Sequence, residues 1–378
     1  MISVVVGALL GAAGFAQGSP ATKRASGGTL DIQAHRGGRG NTVENVLPSF
    51  AWGLIDGAST LELDNGITKD GHVVVWHDEW IDAGKCLDTA PVEADDPDYP
   101  YVGKLIKDLT LAQLKTLDCG TLSQAEFPDQ RTYPGTKLST LGELFDFVSC
   151  VDPARTVSFN IESKVNHTLV TGYNTKGVNA FVTAQYAEFQ KSGYLDRITY
   201  QSFDWRTLIE MQVLHPGVRT SALISRRVAS FSRRFFPGLT RYFTSLNAYI
   251  GTPYLPIDLG GILADSITEA AIIAAATLGI DIVSPKIDAV NDGTRALVKL
   301  ANGLGKPVLP WTVNDVSVAQ DLIELGVQGI ITDYPDRVRE LADDLGVEVV
   351  SPLGEGNAVK WPQDKVLACL DQHLALQG

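Results

Sequence analysis

The fold is decided by three consecutive stretches near the amino end: LDIQAHR (30–36), ENVLPSFAWGLIDGA (44–58) and TLELDN (60–65). The first and third stretches are short β-type runs. The middle stretch places Val46, Phe50 and Leu54 four residues apart on one stripe of a helix. Strand, helix and strand in this order predict one unit of a parallel sheet.

Strand patterns recur along the chain, and each is followed by a helical pattern. They lie at Leu30–Arg36, Thr60–Asn65, Thr156–Lys164, Ile198–Phe203, Arg219–Ser225, Asp281–Ile287, Pro307–Asn314 and Gly329–Tyr334. Eight such units predict an α/β protein with a (β/α)₈ TIM barrel, whose functional residues are expected at the carboxyl ends of the strands. A doubly wound sheet is the alternative, but it would normally carry a phosphate-binding turn, and His35–Gly40 lacks the G-x-G-x-x-G spacing.

The segments outside the repeated strand–helix units predict further regions of the chain. Residues 1–16 contain a short apolar run that predicts a signal peptide cleaved after Ala16, with a buried amino-terminal helix as the alternative. Residues 17–29 would then be a short linker or propeptide. A barrel domain is predicted at 30–346, followed by a C-terminal extension with a helix at 347–378. Two loop-rich insertions interrupt the barrel, at 79–137 and 226–264, and the first is expected near the active-site mouth.

A signal peptide predicts a secreted, extracellular protein, in which disulfide bonds can form. The four cysteines allow three complete pairings. Cys86 and Cys119 flank one Asp- and Pro-rich stretch and are the favoured pair, which leaves Cys150 with Cys369. Asn166-His167-Thr168 is a glycosylation sequon, which makes an N-glycan at Asn166 a candidate modification.

The charge balance limits the class of partner. Lys and Arg number 31 against 44 Asp and Glu, a formal charge of −13, which argues against nucleic acid or anionic lipid as the main partner. No apolar run reaches the ~18 residues that span a membrane, so stable membrane insertion is not expected. A small anionic substrate remains compatible, because one arginine and a bound cation can reverse the field within a cleft.

Three acidic residues stand at predicted strand ends. Glu62 and Asp64 are two apart on one strand and therefore point to the same face, and Glu162 belongs to another strand. Each alone could be a structural carboxylate, but buried acids that converge at a barrel mouth are costly unless they are paired or bind metal. Their oxygen atoms suit Mg²⁺ or Ca²⁺.

A hairpin is predicted directly after these acids. Asp70-Gly71 is a two-residue turn signal, and the short connection cannot hold a parallel crossover, so Val73–His77 should be an antiparallel flap. With a two-residue turn, Asp64 lies opposite His77 on one face.

A set of motifs occurs in a characteristic order around these residues. They are Ala34-His35-Arg36-Gly37, Glu44-Asn45, Glu62-x-Asp64, Thr68-Lys69-Asp70-Gly71, His77-Asp78, Glu162-x-Lys164, Gln201-Ser202-Phe203, Trp311-Thr312-Val313-Asn314 and Thr332-Asp333-Tyr334-Pro335. Together they resemble the glycerophosphodiester phosphodiesterases over roughly residues 30–346.

This resemblance implies a metal-dependent phosphodiesterase that hydrolyses glycerophosphodiesters to sn-glycerol 3-phosphate and an alcohol. It implies one divalent cation, Mg²⁺ or Ca²⁺, on Glu62, Asp64 and Glu162, and an acid–base pair of His35 and His77. The residues implied to contact the substrate or its phosphate are Arg36, Lys164, Glu44, Asn45, Phe203 and Trp311. Phe203 and Trp311 could equally pack at the mouth.

Two other functions stay open at this point. A lipid-directed relative, of the lysophospholipase D or sphingomyelinase D type, would reuse the same site, and the basic, aromatic insertion 226–264 would then contact lipid instead of packing as an irregular loop. A non-catalytic secreted binding barrel is the second alternative.

Overall fold

The computed structural model describes residues 29–165, 174–225, 267–350 and 361–377. The strands are β1 (Asp31–Ala34), β2 (Thr60–Ile67), β3 (Val73–Val75), β4 (Ser158–Ser163), β5 (Ile198–Ser202), β6 (Arg219–Ile224), β7 (Ile282–Pro285) and β8 (Gly329–Thr332). The α-helices are Leu47–Ile55, Leu111–Thr116, Leu141–Val151, Val178–Ser192, Trp205–Leu214, Ile267–Thr277, Asp292–Gly303, Val316–Glu324, Pro335–Asp344 and Gln363–Gln377. Short 3₁₀ turns lie at His35–Gly37, Ile106–Asp108 and Leu195–Arg197.

The parallel strands form one curved sheet in the order β7-β6-β5-β4-β2-β1-β8. Residues 307–313 fill the position between β7 and β8. The Leu309 N–H donates to the Val283 carbonyl at 3.0 Å, and the Ile331 N–H donates to the Pro310 carbonyl at 3.0 Å. The (β/α)₈ barrel predicted from the strand rhythm is therefore confirmed. The predicted strand at 307–314 is irregular because two of its residues are prolines, which have no N–H for the ladder.

The flap after β2 is antiparallel, as predicted, but its predicted register is wrong by one residue. Asn65 pairs with Val75, and Ile67 pairs with Val73. Asp64 therefore stands opposite Trp76, whose N–H donates to the Asp64 carbonyl at 3.0 Å. His77 is not the cross-strand partner of Asp64 and belongs instead to the segment that follows the flap.

The register differs because the turn has three residues, 69–71, where the sequence suggested two. The Thr68 hydroxyl accepts the His72 N–H at 2.8 Å and closes the turn from its side chain. Gly71 has a φ of 88°, the left-handed conformation that a three-residue hairpin loop needs near its end. A glycine serves equally in two- and three-residue turns, so the sequence signal did not separate them.

The first insertion packs around a small apolar core of its own, which includes Trp76, Tyr101 and Leu117. The predicted Cys86–Cys119 disulfide is present and closes this core. The second predicted pair, Cys150–Cys369, joins the helix Leu141–Val151 to the helix Gln363–Gln377. Both pairings are confirmed.

Several predicted features lie outside the described residues: the signal peptide, residues 17–28, Asn166 and the insertion 226–264. The domain boundaries stay predictions. Within the described ranges, no helix is long and apolar enough to cross a membrane.

Candidate active site

A cavity opens at the carboxyl ends of the barrel strands. Its lining residues are His35, Arg36, Glu62, His77, Glu162, Lys164, Gln201, Phe203, Leu223, Trp311 and Ile331. Charged side chains line the side formed by β1, β2, β4 and the flap, whereas apolar side chains line the side between β5 and β8.

Glu62, Asp64 and Glu162 converge on the charged side. Asp64 on β2 pairs in register with Glu162 on β4, and one oxygen from each of the three carboxyl groups lies within 4.8 Å of the others. All three are buried. Arg36 and Lys164 flank the group, with Arg36 Nε 3.3 Å from Asp64 Oδ2 and Lys164 Nζ 2.9 Å from Glu162 Oε1.

The crowding of these carboxyl groups shifts their pKa values apart. Burial and the neighbouring Asp64 charge raise the pKa of Glu62 well above its usual value. Burial also raises the pKa of Glu162, to about 7. Burial alone would raise the pKa of Asp64 as well, but the charges around it, including Arg36 and Lys164, hold that pKa well below its usual value. Without a cation, the cluster therefore retains protons near neutral pH.

His35, which follows the first barrel strand, is held by Asp333, which follows the last barrel strand, β8. The His35 Nδ1 atom lies 2.5 Å from Asp333 Oδ1, which also accepts the Arg39 Nε–H at 2.8 Å. The second oxygen of Asp333 accepts the Asn314 amide at 2.7 Å. Burial would raise the pKa of Asp333, but His35 and Arg39 hold it well below its usual value. An ionised carboxylate only accepts, so His35 carries its proton on Nδ1 and presents Nε2 as an acceptor when neutral.

His77 has the same kind of partner. Its Nδ1 atom lies 2.8 Å from Asp78 Oδ1, and the pKa of Asp78 is about 2 because the bonds and charges of His77 and Lys85 outweigh burial. Burial, followed by the Lys164 charge, lowers the pKa of His77 to about 4. Burial also lowers the pKa of His35. Both rings are therefore neutral bases at neutral pH.

The turn after β1 delivers Arg36 to the carboxylates. Its φ is 52°, and its backbone N–H donates to Glu62 Oε2 at 2.9 Å. The turn requires Gly37 at a φ of 81°, where a Cβ atom would lie 2.5 Å from Ser49 Oγ. The Arg36 guanidinium spans Glu44, at 2.9 Å, and Asp64.

Two predicted substrate contacts lie one layer behind the cavity. Glu44 binds three cationic side chains: Arg36, Arg39 and Lys85. Asn45 donates its amide to Asp64 Oδ2 at 3.1 Å. Neither lines the cavity, whereas His35, His77, Arg36, Lys164, Phe203 and Trp311 do.

The sequence interpretation missed other residues of the site. Asp333 and Asn314 lie in two of the motifs at strand ends, which is the signal that could have assigned them. Gln201, in a third motif, donates its amide to Glu62 Oε1 at 2.7 Å, a role that the motif alone does not indicate. Lys85 belongs to no motif and had no local signal.

The fold and the site define an enzyme built on a (β/α)₈ barrel, with carboxylates, carboxylate-bound histidines and basic side chains in one cavity. Residues 35–337 match the model of the Glycerophosphoryl diester phosphodiesterase family. The chain therefore belongs to this family and is a glycerophosphodiester phosphodiesterase by class.

Individual relatives agree with this assignment. A glycerophosphodiester phosphodiesterase of Caldanaerobacter subterraneus subsp. tengcongensis is 26% identical over 310 residues, which cover 82% of this chain and 96% of the relative. A crystal structure of a glycerophosphoryl diester phosphodiesterase, described as putative, from Silicibacter pomeroyi has a TM-score of 0.65 and 26% identity, and covers 86% of this chain and 97% of its own.

A third relative shows the fold alone. The Oleispira antarctica phosphodiesterase in complex with the product sn-glycerol-3-phosphate has a TM-score of 0.57 at 19% identity, and the match covers 83% of this chain and 97% of that one.

Proposed function

We propose that the enzyme hydrolyses glycerophosphodiesters to sn-glycerol 3-phosphate and an alcohol, with one divalent cation, Mg²⁺ or Ca²⁺, on Glu62, Asp64 and Glu162. The observation that carries this proposal is the convergence of these carboxylates beside a cavity that two carboxylate-bound histidines line. The product bound to the Oleispira antarctica relative supports the choice of substrate class.

The donor set fits a hard divalent cation. All three groups offer oxygen, their ligand atoms lie within 4.8 Å of one another, and the carboxyl groups of Glu62 and Glu162 retain protons that a cation would replace. When bound, the cation would supply positive charge against the negative charge that grows on the phosphate oxygens.

The basic side chains would hold the phosphate beside the carboxylates. Arg36 and Lys164 line the cavity and keep their charge because burial is outweighed by neighbouring carboxylates, which raise the pKa of both groups. Charged donors fixed before the substrate arrives stabilise the developing charge at little reorganisation cost.

The two histidines would divide the proton transfers. One neutral imidazole accepts through Nε2 the proton of a glycerol hydroxyl group as that oxygen attacks the phosphorus, and the second ring, protonated from solvent, gives its proton to the leaving alcohol. Water then opens the cyclic phosphate with the two roles exchanged, which restores both rings. Asp333 and Asp78 keep Nδ1 protonated and stabilise each imidazolium as it forms.

The apolar side of the cavity would receive the carbon atoms of the substrate. Phe203 and Trp311 pack edge to face with ring centroids 5.4 Å apart, and the Trp311 indole N–H donates to the Ser284 carbonyl at 2.7 Å. These contacts fix two flat surfaces, which we assign to the glycerol or alcohol portion.

The family match favours neither the lipid-directed alternatives nor a non-catalytic binding barrel. We also propose that the protein is exported and carries an N-glycan at Asn166. Two disulfide bonds support the export, since these bonds persist in oxidising compartments. Amino-terminal sequencing and deglycosylation of the protein recovered from culture medium test both statements.

Release of sn-glycerol 3-phosphate from glycerophosphocholine, measured in chelator and after addition of Mg²⁺ or Ca²⁺, tests the activity. We expect no turnover in chelator, recovery with the cation, and little turnover of lysophosphatidylcholine or sphingomyelin. Glu62→Gln should remove most activity. Glu188→Gln, which alters a carboxylate paired with Lys191 on an outer helix, should not. Full turnover in chelator would refute the cation site.

A further inference from the structure

Lys85 comes from the first insertion, yet its ammonium group lies between two carboxylates behind the cavity. Its Nζ atom donates to Asp78 Oδ2 at 2.6 Å and to Glu44 Oε1 at 2.7 Å. It also lies 5.6 Å from the ring centroid of Trp76, and only 16% of the side chain is exposed. Burial would lower the pKa of Lys85, but the two carboxylates raise it, so the group stays charged.

These two contacts join separate parts of the site. Asp78 uses its other oxygen to bind His77 Nδ1 at 2.8 Å. Glu44 uses the same Oε1 atom to accept the Arg36 guanidinium at 2.9 Å. Lys85 therefore links the histidine in the segment after the flap to the arginine that follows β1.

The insertion fixes the backbone from which this lysine extends. The N–H groups of Lys85 and Cys86 both donate to the Asp82 carbonyl, at 3.1 and 3.0 Å. The next residue, Leu87, exchanges two backbone hydrogen bonds with Asp118, at 2.8 and 3.0 Å. Cys86 is bonded to Cys119. The ammonium group is thus delivered by a cross-linked and hydrogen-bonded segment.

We propose that Lys85 is a positioning residue for catalysis: it fixes the Asp78 carboxylate so that Asp78 holds the His77 ring, and it completes the neutralisation of Glu44. This inference rests on the proposed function. Without Lys85, the outer oxygen of Asp78 loses a short charged hydrogen bond, and the carboxylate is free to turn away from Nδ1. Lys85 does not line the cavity, so its effect should fall on turnover and not on substrate binding.

The kinetic test compares Lys85→Met, Lys85→Arg and Lys104→Met with the wild type on glycerophosphocholine at saturating cation. We expect Lys85→Met to lower kcat about 10- to 100-fold with little change in KM, the scale seen when an outer-shell partner of a functional group is removed. Lys85→Arg should restore part of kcat. Lys104 pairs with Asp98 in the same insertion and serves as the matched control, with wild-type kcat expected.

A double-mutant cycle separates positioning from general destabilisation. If Lys85 acts through Asp78, Lys85→Met should cost little further kcat in an Asp78→Asn background. Full multiplication of the two losses, or wild-type kcat in Lys85→Met, would overturn the inference.

A readout without turnover keeps the inference separate from the proposed function. In protein labelled with ¹⁵N-histidine, the His77 signal, identified by its loss in His77→Gln, should report a ring protonated on Nδ1. Lys85→Met should convert it to a mixture of tautomers. An unchanged tautomer would refute the positioning role, whereas a wild-type protein inactive on every glycerophosphodiester would refute only the proposed function.

Discussion

Asp333 and His35 stand at opposite ends of the barrel sequence and form one hydrogen-bonded pair, with Asp333 Oδ1 2.5 Å from His35 Nδ1. Closure of the barrel produces this pair. Ala34 at the end of β1 pairs with Thr332 at the end of β8, so the residues that follow each strand emerge side by side. The first and last strands must therefore both be in place before the histidine acquires its partner.

Asp333→Asn should lower kcat by about 10²–10⁴-fold, because an amide no longer requires the proton on Nδ1 and no longer stabilises the imidazolium. The measurement is kcat on glycerophosphocholine, with far-UV circular dichroism to check the fold. Asp343→Asn, at an exposed carboxylate of the following helix, is the control and should keep wild-type turnover. Wild-type kcat in Asp333→Asn would show that the pair is not used in the reaction.

His77→Ala should cost about 10²–10⁴-fold in kcat on glycerophosphocholine and distinctly less on a nitrophenyl diester. A nitrophenolate leaves without a proton, so the difference measures protonation of the leaving group by His77. The control is His72→Ala, at the residue directly after the hairpin turn, with 52% of its side chain exposed. Equal losses on both substrates would assign the acid role to His35.

The stability of the cation-free enzyme should fall as pH rises through the range in which Glu162 ionises. Its folded pKa of about 7 lies above the ordinary value of 4.5. The stability that its proton provides is therefore full below pH 4.5 and is lost as pH rises through 7. Added Mg²⁺ or Ca²⁺ should raise the melting temperature, and more so at high pH, because the cation replaces protons.

Thermal melts in chelator and in cation, across this pH range, measure the effect. Glu162→Gln carries no titrating group and should flatten the difference between the two series. A cation-dependent shift of equal size at every pH would contradict proton displacement at this cluster.

The two disulfides should differ in what their removal does. Cys150 and Cys369 are 219 positions apart, and their bond restricts the unfolded chain by about 5 kcal/mol in the loop-entropy account. Replacing both by alanine should lower the free energy of unfolding by roughly 2–5 kcal/mol and leave kcat unchanged. Chemical denaturation and steady-state kinetics test the two parts.

Removal of Cys86–Cys119 should lower both stability and kcat, since that bond adjoins Lys85. Identical kinetics for the two double variants would show that the insertion does not control turnover.

The barrel and most of the cavity-lining residues could be predicted from the sequence, because both follow from the regular alternation of strand and helix patterns. In a parallel barrel every carboxyl end of a strand opens at one rim, so Glu62 and Glu162 could be placed together without coordinates. The flap register could not be placed, because it depended on the Thr68 side chain closing a three-residue turn.

Contacts between distant loops also could not be predicted from the sequence. Glu44 is expected at the substrate, but its partner Lys85 comes from the first insertion, 41 positions away, and reaches Glu44 only in the folded chain. The sequence locates the closing strand at 307–314, but its two prolines donate no N–H to the ladder, and the segment makes only isolated bridges, Val283 with Val308 and Lys286 with Trp311.

The division of the cavity into a charged side and an apolar side makes the enzyme a convenient starting point for directed evolution. The groups assigned to bond cleavage come from β1, β2, β4 and the flap, whereas Phe203, Leu223, Trp311 and Ile331 line the other side. A combinatorial library confined to these four positions would vary the alcohol preference while the carboxylates and histidines kept the hydrogen bonds described above. Selectivity and chemistry thus rest on different side chains, and new specificities can be sought at these four positions while Asp333 and Asn314, which support His35 from the same half of the barrel, stay unchanged.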